Sequence, residues 1–312
     1  MSVIYTEIPD NFCEAEVFVK TEIQDIKNAF FLSKKVFFYD ACSFQRHAGL
    51  SSKEKNILAE YLKKCKAAVF ITSCILMELT AVNHKLTENH IDYLEKLKGA
   101  GVDVVVFREE YLYNILSVCF HTNKRINEYL LRAVKKTKTP VSTIETTLKA
   151  NKKLHSEIIK GENPKSSDLY QRLFSATRED KGRGDNLGEE LISICVHVLS
   201  RLPGMPDGKI CILTDDKGAA GKIYSATRKT NSETSVSEIV LFSTPKLIQH
   251  MFREGVAMSE KEMLNIISQG IHGNISVMGT TPFDLKVNEK ISMSCEELVQ
   301  RIREPNKINI VF

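Results

Sequence analysis

The 312-residue sequence lacks several features that would assign a chain to a class at once. It has no run of about 18 uncharged apolar residues, so no transmembrane helix is expected. The N-terminal stretch MSVIYTEIPDNF lacks a basic segment followed by an apolar one, so no secretory signal is expected. The chain also has no internal repeat and no low-complexity tract. With 43% hydrophobic and 26% charged residues, its composition is that of an ordinary soluble globular protein, and we expect no association with a membrane.

Cysteine and histidine lack the spacing of a metal site. The eight cysteines include no CxxC pair, and the eight histidines include no HxxxH pair. Most of the cysteines lie in apolar runs such as FITSCILMEL and LISICVHVL, which is typical of reduced, packed thiols. We therefore expect neither a zinc site nor a disulfide framework, and we expect a cytoplasmic location.

The net charge of +4 is unevenly distributed along the chain. Residues 121–178 contain 13 Lys and Arg against five Asp and Glu, whereas the rest of the chain contains 30 against 34. Such a local excess attracts phosphate groups, although the same pattern is typical of the solvated faces of charged helices. The sequence has no tryptophan, and this segment has few aromatic residues, so base stacking is not expected to give strong sequence readout.

Apolar runs typical of strands alternate with helical periodicity through most of the chain. Strands are predicted at residues 35–41, 67–73, 102–107, 209–215 and 237–243. Capping boxes predict helix starts at Ser51 with Glu54 and at Ser259 with Glu262. Nearly continuous apolar strands that alternate with helices form parallel sheets covered on both faces. We therefore predict an α/β fold with a mostly parallel central sheet.

The same pattern divides the chain into three regions. They are an N-terminal extension at 1–34, a main α/β domain at 35–268 and a small C-terminal α+β appendage at 269–312. The main domain contains the basic segment, predicted as a helical insertion at about 111–180 with breaks near Pro140 and at GENPKSS. A buried helix follows at 188–202. In the appendage, the strand patterns NISVMG and INIVF flank a short helix that opens at Ser294.

Acidic residues interrupt apolar runs at four places. They are Asp40 after the first predicted strand, Glu78 within CILMELTA, Asp185 and Glu189 at the start of the buried helix, and Asp215 and Asp216 after the fourth predicted strand. Each of these acids alone could be a helix cap or an exposed position. Ligands of parallel sheets bind beyond the carboxyl ends of the strands, where these acids are expected to meet. Carboxylates that converge repel one another unless they share a cation, and oxygen ligands favour Mg²⁺ or Mn²⁺.

Five motifs, in this order, resemble a PIN domain, a family of metal-dependent nucleases that includes bacterial toxin-type members. They are FFYDACS, TSCILMELTA, GDNLGEELISI, ILTDDKGAA and IVLFSTPKLIQHM. The resemblance spans about residues 35–255 and implies a PIN-like three-layer fold with catalytic acids that bind the metal. It implies this role for Asp40, Glu78 and Asp216, with Glu189, or else Asp185, as a further acid. The stretch of about 75 residues before Gly184 is longer and more basic than in compact family members.

The resemblance also implies an activity: a Mg²⁺- or Mn²⁺-dependent endoribonuclease that cuts single-stranded RNA, or DNA. Glu78 would bind the ion or orient the attacking water. Asp215 would be an auxiliary acid, and the hydroxyls of Ser43 and Thr214 would assist. Substrate contacts are expected from basic residues in the insertion and beside the acids. The candidates are Lys124, Arg125, Arg132, Lys135, Lys136, Lys152, Lys153, Arg183 and Lys217.

Other functions stay open. A PIN-fold protein that binds RNA or a protein partner without cutting is one alternative. A HAD-like phosphatase would need a second acid two residues after its first aspartate, and Cys42 occupies that position. A toxin held by an inhibitory antitoxin-like protein, a defence nuclease and a homo-oligomer are all compatible with the sequence.

Overall fold

The computed structural model describes residues 5–139, 141–160, 165–228, 236–281 and 284–312. The sequence predicts that the basic segment breaks near Pro140 and at GENPKSS. Pro140 and residues 161–164 of GENPKSS lie outside the described residues.

A five-stranded parallel sheet forms the centre of the protein. Its strands are β1 (Lys35–Tyr39), β2 (Ala67–Thr72), β3 (Asp103–Phe107), β4 (Ile210–Leu213) and β5 (Val240–Phe242). Their order is β3-β2-β1-β4-β5, and every neighbouring pair runs parallel. Every residue of β2 and β4 is buried, which explains their continuous apolar sequence. The predicted α/β class and mostly parallel sheet are confirmed.

Helices precede, connect and follow these strands. In chain order they are α1 (Phe12–Glu16), α2 (Ile23–Leu32), α3 (Ala41–Ala48), α4 (Ser52–Lys64), α5 (Ser73–Leu79), α6 (Glu88–Ala100), a 3-10 turn (Glu109–Tyr111), α7 (Leu112–Cys119), α8 (Asn123–Thr137), α9 (Thr143–Ala150), α10 (Lys152–Lys160), α11 (Ser166–Glu179), α12 (Leu187–Leu199), α13 (Lys217–Thr227), α14 (Thr244–Arg253) and α15 (Glu260–Ser268). The arrangement is compatible with a three-layer α/β fold. Among the described residues, no helix is long and apolar enough to cross a membrane.

Two predicted capping boxes behave differently. Ser259 and Glu262 form the predicted reciprocal box at the start of α15. At α4, by contrast, the Ser51 hydroxyl donates to the Glu54 carboxylate and caps no backbone N–H group. The other carboxylate oxygen of Glu54 accepts from Asn265 Nδ2 at 2.8 Å. The prediction of a capping box at Ser51 is therefore wrong, because tertiary packing against α15 uses the glutamate.

The C-terminal residues form a second, antiparallel sheet. It contains β6 (Ile275–Thr281), β7 (Asp284–Met293) and β8 (Asn309–Ile310) in the order β7-β6-β8, with α16 (Cys295–Arg303) between the last two. The sequence predicts β6, β8 and the helix but misses β7, whose sequence DLKVNEKISM is rich in charged residues. A Cβ atom at Gly279 would lie 2.5 Å from the Asn309 carbonyl oxygen, so β8 can approach β6 this closely only beside a glycine.

A buried ionic network attaches α11 to the carboxyl end of β3. The Arg178 guanidinium, 1% exposed, pairs with Glu109 at 2.6 Å, with Glu110 at 2.9 Å and with Glu7 at 2.8 Å. The other oxygen of Glu109, Oε1, accepts from the backbone N–H of Cys74 in α5 at 3.0 Å. One network therefore joins α5, β3 and the end of the basic helical segment.

Candidate functional site

Asp40 lies where the order of the sheet reverses, directly after β1. Its side chain is 5% exposed and fully engaged: Oδ1 accepts from the Ala41 N–H at 2.8 Å. Its Oδ2 accepts from the Thr214 hydroxyl at 2.9 Å and from the Cys42 thiol at 2.8 Å. Crevices at such reversals are the usual ligand sites of open parallel sheets. The first predicted acid therefore stands at the expected edge, held in one orientation.

Asp215 and Asp216 follow β4 but have different surroundings. Asp215 is held inside the protein, because its carboxylate accepts from the Thr244 N–H at 2.7 Å and from the Ser43 hydroxyl at 3.0 Å. The Arg46 guanidinium lies 3.1 Å from Asp215 Oδ1. Burial raises the pKa of Asp215, but Arg46 and the hydrogen bonds outweigh it, so the net pKa lies below the usual range. Asp215 thus joins β4 to α3 and α14, and Ser43 contacts this acid.

Asp216 is exposed at the start of α13. Its Oδ1 accepts from the N–H groups of Gly218 at 2.6 Å and Ala219 at 3.1 Å. Its own N–H donates to the Thr214 hydroxyl oxygen at 3.1 Å, so this hydroxyl bridges Asp40 and Asp216. Within the described part of the chain, Asp216 Oδ2 has no hydrogen-bond or ion-pair partner. One oxygen of this acid is therefore available to a ligand.

Glu78 and Asp185 share a lysine. The Lys181 ammonium lies 2.8 Å from Glu78 Oε1 and also pairs with Asp185. Asp185 further accepts from the Gly182 N–H at 2.7 Å and the Leu187 N–H at 3.2 Å, so it shapes the turn that leads into α12. Lys181 is not among the site residues that the sequence predicts. Lys181 and Asp185 lie in the turn between α11 and α12, and Glu78 is distant in sequence, so no helical spacing reveals these contacts.

Glu78 packs directly against the start of α12. A Cβ atom at Gly188 would lie 2.7 Å from Glu78 Oε1, so glycine at this position makes room for the carboxylate. Burial raises the pKa of Glu78 to about 7. The Lys181 ammonium opposes this rise, and the negative charges of Asp40 and Glu189 add to it. Glu78 therefore belongs electrostatically to the same acid cluster as Asp40.

Glu189 lies in the first turn of α12 and has an uncompensated oxygen. Its Oε2 is buried and has no hydrogen-bond partner among the described residues. Burial raises the pKa of Glu189, and the charges of Asp40 and Asp216 raise it further, while Lys222 lowers it. A buried carboxylate oxygen without a partner is energetically costly, so this atom is a notable feature of the acid cluster.

The donor chemistry of Asp40, Glu189 and Asp216 fits a hard divalent cation. All three present carboxylate oxygens, and Glu189 is raised in pKa by the other two. In the described ranges, no three His, Cys, Asp or Glu side chains lie close enough together to hold one ion. Binding therefore requires these carboxylates to approach one another, and of the three only Asp216 is exposed, with Oδ1 held by the cap of α13 and Oδ2 directed to no described partner.

A cleft of about 490 Å³ lies between residues of α8, α12 and α13, and none of the predicted acids lines it. It is lined by the lysines Lys136, Lys217 and Lys222 together with Glu190 and small residues of α13. Glu190 is 7% exposed and accepts from the Ile144 N–H at 3.2 Å, and burial raises its pKa to about 7. The cleft therefore combines positive charge with a carboxyl group that ionises with difficulty. Lys136 and Lys217 are among the predicted substrate contacts, whereas Lys222 and Glu190 are not.

The other predicted basic contacts lie on the surface away from the cleft lining. They are Lys124, Arg125, Arg132 and Lys135 on α8, Lys152 and Lys153 on α10, and Arg183 in the turn before α12, all exposed. Arg125 also pairs with Glu128 at 3.0 Å, and its guanidinium lies 5.7 Å from the centroid of the Phe120 ring.

No protein-family model matches this chain, and neither a curated protein nor a solved structure matches it.

Proposed function

We propose that this protein is a Mg²⁺- or Mn²⁺-dependent endoribonuclease of PIN-like fold that hydrolyses single-stranded RNA. The observation that carries the proposal is the Glu189 carboxylate: its buried Oε2 has no partner among the described residues, and burial, with the charges of Asp40 and Asp216, raises its pKa. These acids follow β1 and β4 or begin α12, at the edge where parallel sheets bind their ligands. A buried carboxylate oxygen that no described residue pairs with, at this edge, supports a site built for a cation.

Asp40, Glu189 and Asp216 would hold the cation. When bound, the ion would neutralise charge on the scissile phosphate and lower the pKa of the attacking water. The chain's own residues prepare this site: Thr214 orients Asp40 and the backbone of Asp216 through one hydroxyl. Asp215, paired with Arg46, keeps the end of β4 in place.

The lysine cleft supports a polyanionic substrate. Lys136, Lys217 and Lys222 line one cleft, and Lys222 also acts electrostatically on Glu189. Phosphate groups of a nucleic-acid strand in this cleft would therefore lie near Glu189, the acid on which Lys222 acts. Contacts of this kind are made with the backbone, so little sequence preference is expected.

The test is cleavage of end-labelled single-stranded RNA, and of DNA of the same sequence, in Mn²⁺. We expect Asp40→Asn to lower the rate at least about 100-fold, equivalent to about 2.7 kcal/mol of barrier. Asp103→Asn is the matched control: Asp103 begins β3 at the opposite edge of the sheet and pairs with Lys20 at 2.7 Å. Full activity in Asp40→Asn would refute the role of the acid cluster.

A second function is a PIN-fold module that binds RNA or a protein without cutting it. The observation that favours it is the internal compensation of Glu78 and Asp185 by Lys181. RNA binding without cleavage by the wild-type protein in either metal would support this alternative. Release of phosphate from a small phosphoester would instead support a HAD-like phosphatase. An antitoxin-like inhibitor and a homo-oligomer stay predictions.

Substrate binding has its own test. Replacing Lys136, Lys217 and Lys222 with Gln is expected to weaken RNA binding. It should also reduce the slope of log affinity against log salt concentration by up to about 2, because each phosphate contact on a single strand contributes about 0.7 to that slope. A control triple variant changes three exposed lysines outside the cleft lining: Lys63, Lys85 and Lys98. Equal slopes in the two triple variants would show that the cleft does not contact the strand.

A further inference from the structure

Lys181 is a buried cation inside the acid cluster. Its side chain is 3% exposed, and its ammonium lies 2.8 Å from Glu78 Oε1 while also pairing with Asp185. The same ammonium lies 5.3 Å from the centroid of the Tyr5 ring. Lys181 therefore has two anions and an aromatic face around it, a complete set of partners for a buried ammonium group.

Both members of the Glu78–Lys181 pair are fixed by one buried network. Arg178 anchors the end of α11, three residues before Lys181, through its ion pair with Glu109. The same Glu109 carboxylate accepts from the N–H of Cys74, in the helix that carries Glu78. Gly188 leaves the space in which the Glu78 carboxylate lies. The pair is therefore a built part of the fold, held from both sides.

The geometry points to a specific role: Lys181 holds Glu78 and Asp185 out of the ion centre, so the centre takes one divalent cation through Asp40, Glu189 and Asp216. This inference rests on the proposed function. A second divalent ion at Glu78 and Asp185 would have to displace the ammonium and leave it buried without a partner. Buried charges that lose their partner are strongly unfavourable, so Lys181 supplies the charge that a second ion would otherwise supply.

The test counts Mn²⁺ ions per chain by calorimetric titration of the full chain and follows the melting temperature without metal. We expect one ion in the wild type. Lys181→Met frees Glu78 and Asp185, so this variant is expected to bind two ions. It should also melt at a lower temperature than the wild type in metal-free buffer. Added Mn²⁺ should raise its melting temperature by more than it raises that of the wild type.

Lys55→Met is the matched control. Lys55 of α4 is also buried, 2% exposed, and pairs with Asp92 of α6 at 2.6 Å, outside the acid cluster. This variant is expected to melt at a lower temperature without gaining a second ion or an additional response to Mn²⁺. Glu78→Gln provides a second measurement if Lys181→Met does not fold, and it is expected to keep one ion.

Three results would overturn the inference: two ions in the wild type, one ion in folded Lys181→Met, or loss of the ion in folded Glu78→Gln. A wild-type protein that cuts RNA with two bound ions would overturn this inference alone. A wild-type protein that binds no Mn²⁺ and cuts no RNA would overturn the proposed function together with it.

Discussion

Glu190 offers a sharp test of the electrostatics of the cleft. Its side chain is 7% exposed, and Oε2 accepts from the Ile144 N–H at 3.2 Å. Burial raises the pKa of this carboxyl from 4.5 to about 7, and the charges of Asp185 and Glu189 act in the same direction. Glu190→Gln keeps the shape and an acceptor oxygen for Ile144 but cannot ionise. It therefore removes the cost of burying the charge and little else.

The sign and size of the stability change caused by Glu190→Gln follow from proton linkage. Below the usual pKa of 4.5, Glu190 is protonated in both the folded and the unfolded chain and costs nothing. As the pH rises from there to about 7, the unfolded chain ionises first, so stability falls. One pKa unit corresponds to about 1.4 kcal/mol, so the full cost at pH 8 is about 3 kcal/mol. At pH 5 the cost is below about 1 kcal/mol.

The measurement is equilibrium urea unfolding of the wild type and Glu190→Gln at both pH values. We expect the variant to be more stable by about 3 kcal/mol at pH 8 and by less than about 1 kcal/mol at pH 5. Glu145→Gln is a control of opposite sign: hydrogen bonding to Lys138 lowers the pKa of Glu145, so this variant should be slightly less stable at pH 8. A Glu190→Gln stability change that is the same at both pH values would refute the reasoning.

Three further predictions concern other parts of the molecule. Arg178→Met leaves Glu109 without its buried cation, so thermal unfolding should show a loss of about 3–5 kcal/mol in the free energy of unfolding. Arg172→Met breaks a partly exposed pair with Glu157 at 2.6 Å and should cost under about 1 kcal/mol of the same free energy. Desolvation and then the charge of Asp40 raise the pKa of the Cys42 thiol to about 12. Alkylation of Cys42 by iodoacetamide at pH 8, followed by mass spectrometry, should therefore be slow, and Asp40→Asn should accelerate it. Ser259→Ala removes the capping box of α15 and should cost about 1 kcal/mol in urea unfolding, whereas an unchanged midpoint would contradict the cap's contribution.

The strands and the α/β class could be predicted because parallel strands buried on both faces require continuous apolar runs. The segment 67–73 illustrates this, since β2 occupies Ala67–Thr72 and every residue of it is buried. β7 could not be predicted in this way, because it belongs to a small antiparallel sheet and its residues 284–293 include many charged ones. Likewise, the predicted capping box at Ser51 does not form, and the contact of Glu54 with the distant Asn265 is one that no local pattern reveals.

For the candidate site, the sequence by itself determined which acids stand after strands or at the start of a helix, since strand ends and helix caps are local features. Asp40 and Asp216 are examples, each at the N-cap of a helix that follows a strand. Only the tertiary structure decided which acids keep uncompensated charge. Lys181 reaches Glu78, and Arg46 reaches Asp215, from distant parts of the chain, so their compensation depends on packing that no spacing along the sequence encodes. Glu189 Oε2 is left without a partner because the same packing brings no donor from the described residues to it.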